Sequence, residues 1–465
     1  MKRPNILFLM TDEQKFDTFS CINPLIKTPN LDTLIKDSVF FNNAYCSNPS
    51  CVPSRAAIST GKYPSRCQCP VYIGMLPKEE KTYTTSMQES GYYTSVIGKQ
   101  HFAGSEIYRG YDHEFIVDGH FAKAGNKEIQ LYLDFLEKEG IKDFSTLCEK
   151  NLILGGEWKE NIKYHIDDFI GEKGYDWLAK HIDETKKDKN AKPWYTVISF
   201  PGPHQPYDCE GTKYSELYSL DDMAHNGATK EARKDKPQHF EKMNPKAYTD
   251  KYSDETFRKT KRSYYANMSL IDEKIGKIIA MLKEKGEYDN TVIIYTSDHG
   301  DFMGEFGLVA KAQYLSEALM HIPLFIKPPI KDFKGIKVDD YVTNIDIGST
   351  CLTIANATEK ICDGMENHPY TVYWNNEKFT PRENLYMEAH DLRGVIENGV
   401  KVVYYVDRNY GELYDLNVDP LETTNLWDDK DYQDIKTKAL KTIINKMFVI
   451  SPKSEMEWNY NAPKI

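Results

Sequence analysis

Two short apolar runs far apart in the chain end in the same kind of residue. Residues 4 to 10, Pro-Asn-Ile-Leu-Phe-Leu-Met, run into Thr11-Asp12, and Thr291 to Thr296 runs into Ser297-Asp298-His299-Gly300. An apolar run of that length without polar alternation marks a strand buried on both faces, typically a parallel strand covered by helices on each side. Tyr92 to Ile97 and Trp194 to Phe200 read likewise, and each is followed at once by polar residues. Helix signals lie between them. Thr28-Pro29 reads as a helix cap and first-turn proline, with Leu31, Leu34 and Ile35 on one face. Met268, Ile271, Ile275, Ile278 and Leu282 recur at helical spacing from about Thr256 to Lys285, ahead of Gly286. This alternation predicts an α/β sandwich with a mainly parallel sheet, whose ligands gather at the carboxyl ends of the strands. Asp12, Asp298 and His299 are therefore expected along one edge.

The 465 residues suffice for a large core and a second, smaller unit. The expectation is a catalytic unit over 1–365 and a smaller α+β unit over 366–465. In the latter, short strands at Leu385 to Glu388, Gly394 to Ile396, Lys401 to Val406 and Gly411 to Leu416 are separated by turn residues, and a final helix begins near Asp434. A small antiparallel sheet with a packed helix follows from that pattern. Two stretches, about 120 to 190 and 205 to 255, are rich in charge and aromatics with weak periodicity, and read as insertions around a pocket. No apolar run approaches the roughly 20 residues needed to cross a bilayer. The apolar stretch after Met1-Lys2-Arg3-Pro4 is too short for a secretory leader, which predicts a cytoplasmic location. Nine cysteines without repeated metal-binding spacing predict mostly reduced thiols, and Cys67-Gln68-Cys69 is too close-set for a zinc knuckle or redox pair. The net charge of -11 argues against a nucleic-acid partner. It also requires any anion-binding pocket to reverse the sign locally.

The chemically richest stretch is Cys51-Val52-Pro53-Ser54-Arg55, continuing through Ala56-Ala57-Ile58-Ser59-Thr60-Gly61. Pro53 suits a first helical turn and the residues after it suit continuation, so Cys51 falls at a helix N-terminus, where free N–H groups and the helix dipole favour an anion. Alone, a Cys-x-Pro before a helix is most often a buried structural cysteine. The whole run, followed by Lys62-Tyr63-Pro64, resembles the maturation signature of the sulfatase family, the formylglycine-dependent, cysteine-type branch of the alkaline phosphatase-like superfamily. The resemblance runs from Asn5 to Leu413-Tyr414-Asp415-Leu416 and implies an alkaline phosphatase-like α/β sandwich. It also implies that a formylglycine-generating maturation enzyme oxidises Cys51 to an aldehyde whose hydrate carries two hydroxyls on one carbon. There is a chemical reason for such a group. A thiol attacking sulfur would be left as a stable S-sulfonate, whereas deprotonating the spare hydroxyl of a hydrate adduct breaks a carbon–oxygen bond and expels sulfate.

The resemblance further implies a metal held by Asp12, Asp298, His299 and the modified Cys51. Glu13, where many relatives carry a second acid, is a further candidate ligand. Carboxylate oxygens suit calcium, the first expectation, or magnesium, and the imidazole leaves manganese open. Arg55, four residues after Cys51 and so on the same helix face, matches the arginine that steadies the hydrate. Gly98-Lys99-Gln100-His101 resembles the family's Gly-Lys-x-His segment, in which Lys99 would neutralise ester oxygens and His101 would act as base. Pro203-His204-Gln205-Pro206 resembles the segment whose histidine contacts the transferred group, making His204 a candidate to protonate the leaving oxygen. Lys311 resembles the second sulfate-binding lysine. Arg55, Lys99, Lys311 and a divalent metal together would supply the local reversal of charge. His225, His239 and His390 receive no catalytic assignment.

The expected activity is hydrolysis of a sulfate monoester, an aryl or a sugar sulfate, to an alcohol and inorganic sulfate. His299 stands where many members have asparagine and resembles a branch containing phosphonate monoester hydrolases, choline sulfatases and some sugar sulfatases. A phosphonate monoester or phosphodiester hydrolase using the same site is therefore the alternative. A third reading, a silent protein that binds sulfated ligands with Cys51 unmodified, sits poorly with the presence of the nucleophile, the metal ligands and both lysines.

Overall fold

The apolar runs form the centre of an eight-stranded sheet in a computed structural model that describes residues 3–102, 107, 109–120, 126–148, 154–225, 227–237, 249–375 and 377–451. His239 lies outside the described residues. The strands are β1 (Asn5–Asp12), β2 (Val39–Tyr45), β3 (Tyr93–Gly98), β4 (His113–Ile116), β5 (Trp194–Pro203), β6 (Thr291–Ser297), β7 (Leu324–Lys327) and β8 (Ile336–Thr343). Their order across the sheet is β4-β3-β5-β1-β6-β7-β2-β8. Five neighbouring strands, β4 through β6, run parallel, β7 runs against both its neighbours, and β2 and β8 are again parallel. Every residue of β1 is buried. Leu7 and Leu9 face one core layer with Ile198, Ile271 and Ile275, while Ile6, Phe8 and Met10 face a second with Val197, Ile294 and Ile347. That two-sided burial is why the strand reads as a continuous apolar run.

The carboxyl tips of β3, β5, β1 and β6 are adjacent, and each feeds a segment singled out from the sequence: Lys99, His204, Asp12 and Asp298. Gly98 makes the close approach possible at β3. Its φ is +99°, and a Cβ there would stand 2.0 Å from the Ser199 carbonyl oxygen, which instead accepts the Lys99 N–H at 2.9 Å.

A second sheet of four antiparallel strands, β9 (Asn384–Ala389), β10 (Leu392–Glu397), β11 (Val400–Tyr405) and β12 (Gly411–Asp415), carries the helix Gln433–Ile450 on one face through Val395, Val402, Leu413 and Ile443. Its other face packs Leu385, Met387 and Val403 on Phe302, Leu319 and Met320. The mainly parallel sheet and the small antiparallel one are the predicted architecture. No helix among the described residues is long and apolar enough to cross a membrane.

Two expectations need correction. Residues 120 to 190 are not simply an insertion around a pocket, because Ile166–Thr185 is a long helix of the main core, burying Ile166, Phe169, Ile170, Leu178 and Ile182. Glycines interrupt its apolar stripe for a packing reason. A Cβ on Gly174 would come within 2.8 Å of Ile198 Cδ1, and one on Gly171 within 2.6 Å of Lys274 Cγ, so the helix lies too close to its neighbours for larger residues. Thr28 does precede the helix Pro29–Ile35, but its hydroxyl accepts the Ser20 N–H at 2.9 Å rather than capping. The orphan N–H groups of Asn30 and Leu31 donate instead to Asp272, on the long helix Asp254–Glu284, at 3.2 and 2.7 Å.

Candidate active site

Cys51 is the first residue of the helix Cys51–Thr60 and is fully buried. Position matters here, because first-turn N–H groups have no acceptor one turn earlier and point toward the strand tips. The loop before the helix is clamped from the small sheet. Glu388 N–H donates to Ser47 O at 3.0 Å, Asn48 Nδ2 donates to Glu388 O at 2.8 Å, and the Glu388 carboxylate accepts Ser65 N–H and Oγ at 2.6 and 2.8 Å beyond the helix. On the other side, Ser54 Oγ donates to the Asp298 carbonyl at 2.6 Å, tying the helix to the tip of β6.

Four metal-binding side chains converge at this point. Potential ligand atoms of Asp12, Cys51, Asp298 and His299, all buried, lie within 4.8 Å of one another. His299 Nε2 is 3.1 Å from Cys51 Sγ and 3.6 Å from Asp12 Oδ1. Its Nδ1–H donates to the Gly300 carbonyl at 2.8 Å, which leaves Nε2 turned toward Cys51 and Asp12 and able to ligate a metal. Two carboxylates, one imidazole and position 51 make a donor set suited to a divalent cation. Without one, desolvation opposes the His299 charge, but Asp298 and Cys51 lift its pKa to about 9. Glu13 stands apart from the four and joins a second group with Asp12 and His204. Its Oε2 accepts from Lys311 Nζ at 2.8 Å and lies 3.1 Å from His204 Nε2, while its buried Oε1 has no hydrogen-bond partner among the described residues. An orphaned carboxylate oxygen facing this cluster is a further sign of room for a cation.

The predicted cations surround the same point. Arg55 is buried, with Nε donating to Asp298 Oδ2 at 2.6 Å, Nη1 to the Lys99 carbonyl at 2.9 Å and to Ser199 Oγ at 3.0 Å, and Nη2 3.5 Å from Asp12 Oδ2. Lys99 is buried and pairs directly with Asp12. Burial alone would raise the Asp12 pKa, but Lys99, His204, Arg55 and Lys311 hold it well below the usual carboxylate range. Burial and Asp12 likewise oppose a Cys51 thiolate, yet Lys311, Lys99 and His299 outweigh them and hold the thiol low. Arg55, Lys99 and Lys311 thus bring three cations to one point in a protein of net charge -11.

His204 and His101 are placed differently. His204 Nδ1–H donates to Gln205 O at 2.6 Å and its Nε2 faces Glu13, with Cys51 within hydrogen-bonding reach. Burial and Lys311 hold its pKa down to about 4. His101 follows β3 with φ +58°, its N–H donating to Asp118 Oδ1 at 3.0 Å and its ring edge-on to Tyr72 with centroids 6.1 Å apart. Among the described residues its buried Nδ1 has no partner and no hydrogen bond joins it to Cys51. His225 and His390 lie elsewhere, the former donating to the Gly304 carbonyl at 2.6 Å.

Two residues escaped the sequence reading. His120 stacks on His204 with ring centroids 3.8 Å apart and planes at 7°, and its Nε2 accepts from Lys99 Nζ at 2.6 Å. It belongs to no motif and falls at the start of the stretch read as weakly periodic. Asp167 accepts the Gly202 N–H at 2.8 Å and Asn267 Nδ2 at 3.0 Å, holding the segment that carries His204.

A family model described as sulfatase matches residues 4–357, and one described as N-sulphoglucosamine sulphohydrolase, C-terminal, matches residues 304–448. An arylsulfatase of Clostridium perfringens is 27% identical, the match covering 96% of this chain and 94% of that one. A choline-sulfatase of Rhizobium meliloti is also 27% identical, over 91% of this chain and 82% of its own. Among solved structures, a phosphonate monoester hydrolase of Agrobacterium radiobacter shares the fold, with a TM-score of 0.81 at 20% identity over 95% of both chains.

Proposed function

Because this chain belongs to the sulfatase family and is thereby a sulfuric ester hydrolase, we propose that it hydrolyses an aryl or sugar sulfate monoester at Cys51, matured to formylglycine by a formylglycine-generating enzyme. The observation that carries the proposal is the convergence of Asp12, Cys51, Asp298 and His299 beside three cations, the buried Arg55 and Lys99 and the partly buried Lys311. When present, the formylglycine hydrate supplies the attacking hydroxyl and a second hydroxyl whose deprotonation releases sulfate. A divalent ion held by Asp12, Asp298, His299 and residue 51, with Glu13 alongside, would add positive charge facing the ester oxygens; calcium is our first assignment, then magnesium or manganese.

The chain's own groups do the rest. Lys99 and Lys311 face the non-bridging oxygens and oppose the charge that shifts in transfer. Arg55 orients the group at position 51 through its grip on Asp298 and Asp12. His101, whose Nδ1 has no hydrogen-bond partner among the described residues, takes the proton from the spare hydroxyl. His204 gives a proton to the leaving oxygen from Nε2. Neutral in the ligand-free site, it gains basicity when an anionic ester enters beside it. The catalytic unit is taken as 1–365, with 366–465 bracing it.

A second reading, a phosphonate monoester or phosphodiester hydrolase, is favoured by His299 presenting Nε2 to the cluster. Two measurements decide. Peptide mass analysis of protein from its native host should find formylglycine at position 51, and fully active protein that retains cysteine there would end the proposal. Metal-loaded, matured protein should turn over an aryl sulfate faster than the matching aryl phosphonate monoester; the reverse order would transfer the assignment to the second reading.

A further inference from the structure

The loop Pro70 to Leu76 adjoins the site through the Tyr72–His101 ring contact and has no part in the chemistry above. Both of its feet are fixed. Cys69 N–H donates to Pro64 O at 2.9 Å, Leu76 N–H donates to Phe102 O at 2.9 Å, and the Arg109 guanidinium donates to Leu76 O at 2.7 Å and Pro77 O at 3.1 Å. Cys69 and Leu76 are buried against Val52 and Ala56 of the helix that begins at Cys51. Between the feet, Gly74 N–H closes a turn on Val71 O at 2.9 Å. At this well-anchored tip Tyr72 is 49% exposed, Ile73 92% and Met75 58%.

Single exposed apolar residues need no explanation, but three grouped at one loop tip beside a reactive site mark a binding surface. Tyr72 fixes the location. Its ring meets His101 edge-on, and its phenol lies within electrostatic range of Cys51, Lys311, Lys99 and Asp12. The floor of the pocket is therefore cationic and its rim apolar. An ester with an anion at one end and an apolar body at the other matches that gradient. A saccharide would need several hydrogen-bonding groups there, and Ile73 and Met75 add none to the single Tyr72 phenol. Methionine, soft and adaptable, also packs well on aromatic faces.

We propose that the tip formed by Tyr72, Ile73 and Met75 is the subsite for the alcohol portion of the ester, and that it selects an apolar aromatic alcohol over a sugar. This rests on the reading of the Cys51 site as a sulfate ester hydrolase.

The test uses matured protein and a series of phenyl, para-methylphenyl and para-propylphenyl sulfates, whose leaving groups differ little in acidity but steadily in apolar area. Wild type should gain about twofold to fourfold in kcat/KM per added carbon, mostly through KM, as burial of a methylene provides. Ile73→Ser combined with Met75→Ser should flatten the series while thermal unfolding stays unchanged, since both side chains lie largely in solvent. A flat series in wild type, an equal slope in the double variant, or a monosaccharide sulfate that is preferred and loses as much as the propylphenyl ester would overturn the subsite. Cys51→Ala separates the two levels of the argument. If it still turns over these esters, or wild type turns over none, the hydrolase reading itself falls; if catalysis depends on Cys51 but ignores the loop, only the subsite does.

Discussion

Two fully buried glutamates, Glu422 and Glu13, show opposite responses to the same low-dielectric surroundings. Beneath the small sheet, Glu422 pairs with Lys401 and lies 3.7 Å from Lys236, while its Oε2 accepts Ser316 Oγ at 2.8 Å and the Glu317 N–H at 3.0 Å. Burial would raise its pKa, but Lys401 and Lys236 draw it down to about 2. Glu412 beside it accepts from the hydroxyls of Tyr405 and Tyr414. At the strand tips, burial, Asp301 and Asp12 push Glu13 up to about 8 despite Lys311 and His299. The first cluster is internally settled. The second sets acids, a thiol and an imidazole against one another with one carboxylate oxygen unpartnered, an arrangement that makes physical sense only when something else enters it.

The largest expected effect concerns the second cluster. Cys51→Ala should abolish ester hydrolysis in an aryl sulfate assay while leaving the fold intact by circular dichroism; near-normal turnover would remove the proposed nucleophile. Next comes the settled cluster, where Glu422→Gln leaves the buried Lys401 with Glu317 Oε1, at 3.0 Å, as its carboxylate and should cost about 1–3 kcal/mol in denaturant titration without changing turnover per folded molecule. Its pH signature follows from a depressed folded pKa. The contribution of Glu422 is complete above the unfolded value of about 4.3 and is lost as pH falls toward about 2, so wild type should lose more stability than the variant across that acid window.

Lys99→Met should lower kcat by roughly 10²–10³-fold, the range for removing one preorganised electrostatic group, with a smaller stability loss than Glu422→Gln. An equal loss of stability would mean that the two clusters are energetically alike. His299→Asn should alter which divalent ions raise the melting temperature more than it alters the metal-free melting temperature, and an unchanged ion preference would count against ligation. The smallest effect is expected from Glu13→Gln. With a raised folded pKa, Glu13 loses its contribution to stability as pH rises from about 4.3 through about 8. The variant should flatten that decline in chelator-treated protein, so that the two proteins lie closest in stability at the acid end of the window.

What could be read beforehand was set by local chemistry. Strands β1 and β6 announced themselves because burial on both faces leaves no polar alternation, and Asp12 and Asp298 followed from where those runs stop. Cys51 through Gly61 carried its own signature. The helix Ile166–Thr185 was harder to read because Gly171 and Gly174 occupy tightly packed positions where an apolar stripe would otherwise continue. Asp272 as a cap for a helix more than 200 residues earlier, and Glu388 as a clamp on Ser47, Asn48 and Ser65, are long-range contacts without a local pattern. His120 reaches Lys99 and His204 only because β4 sits beside β3.

The Glu388 clamp also bears on when position 51 is fixed in place. It lies 340 residues downstream of Asn48, so at synthesis rates of roughly 5–20 residues per second the nucleophile segment exists for about 17–70 s before its brace does. Until that brace forms, the helix that begins at Cys51 lacks its anchors at Ser47, Asn48 and Ser65, and chains cut short ahead of β9 would never acquire them.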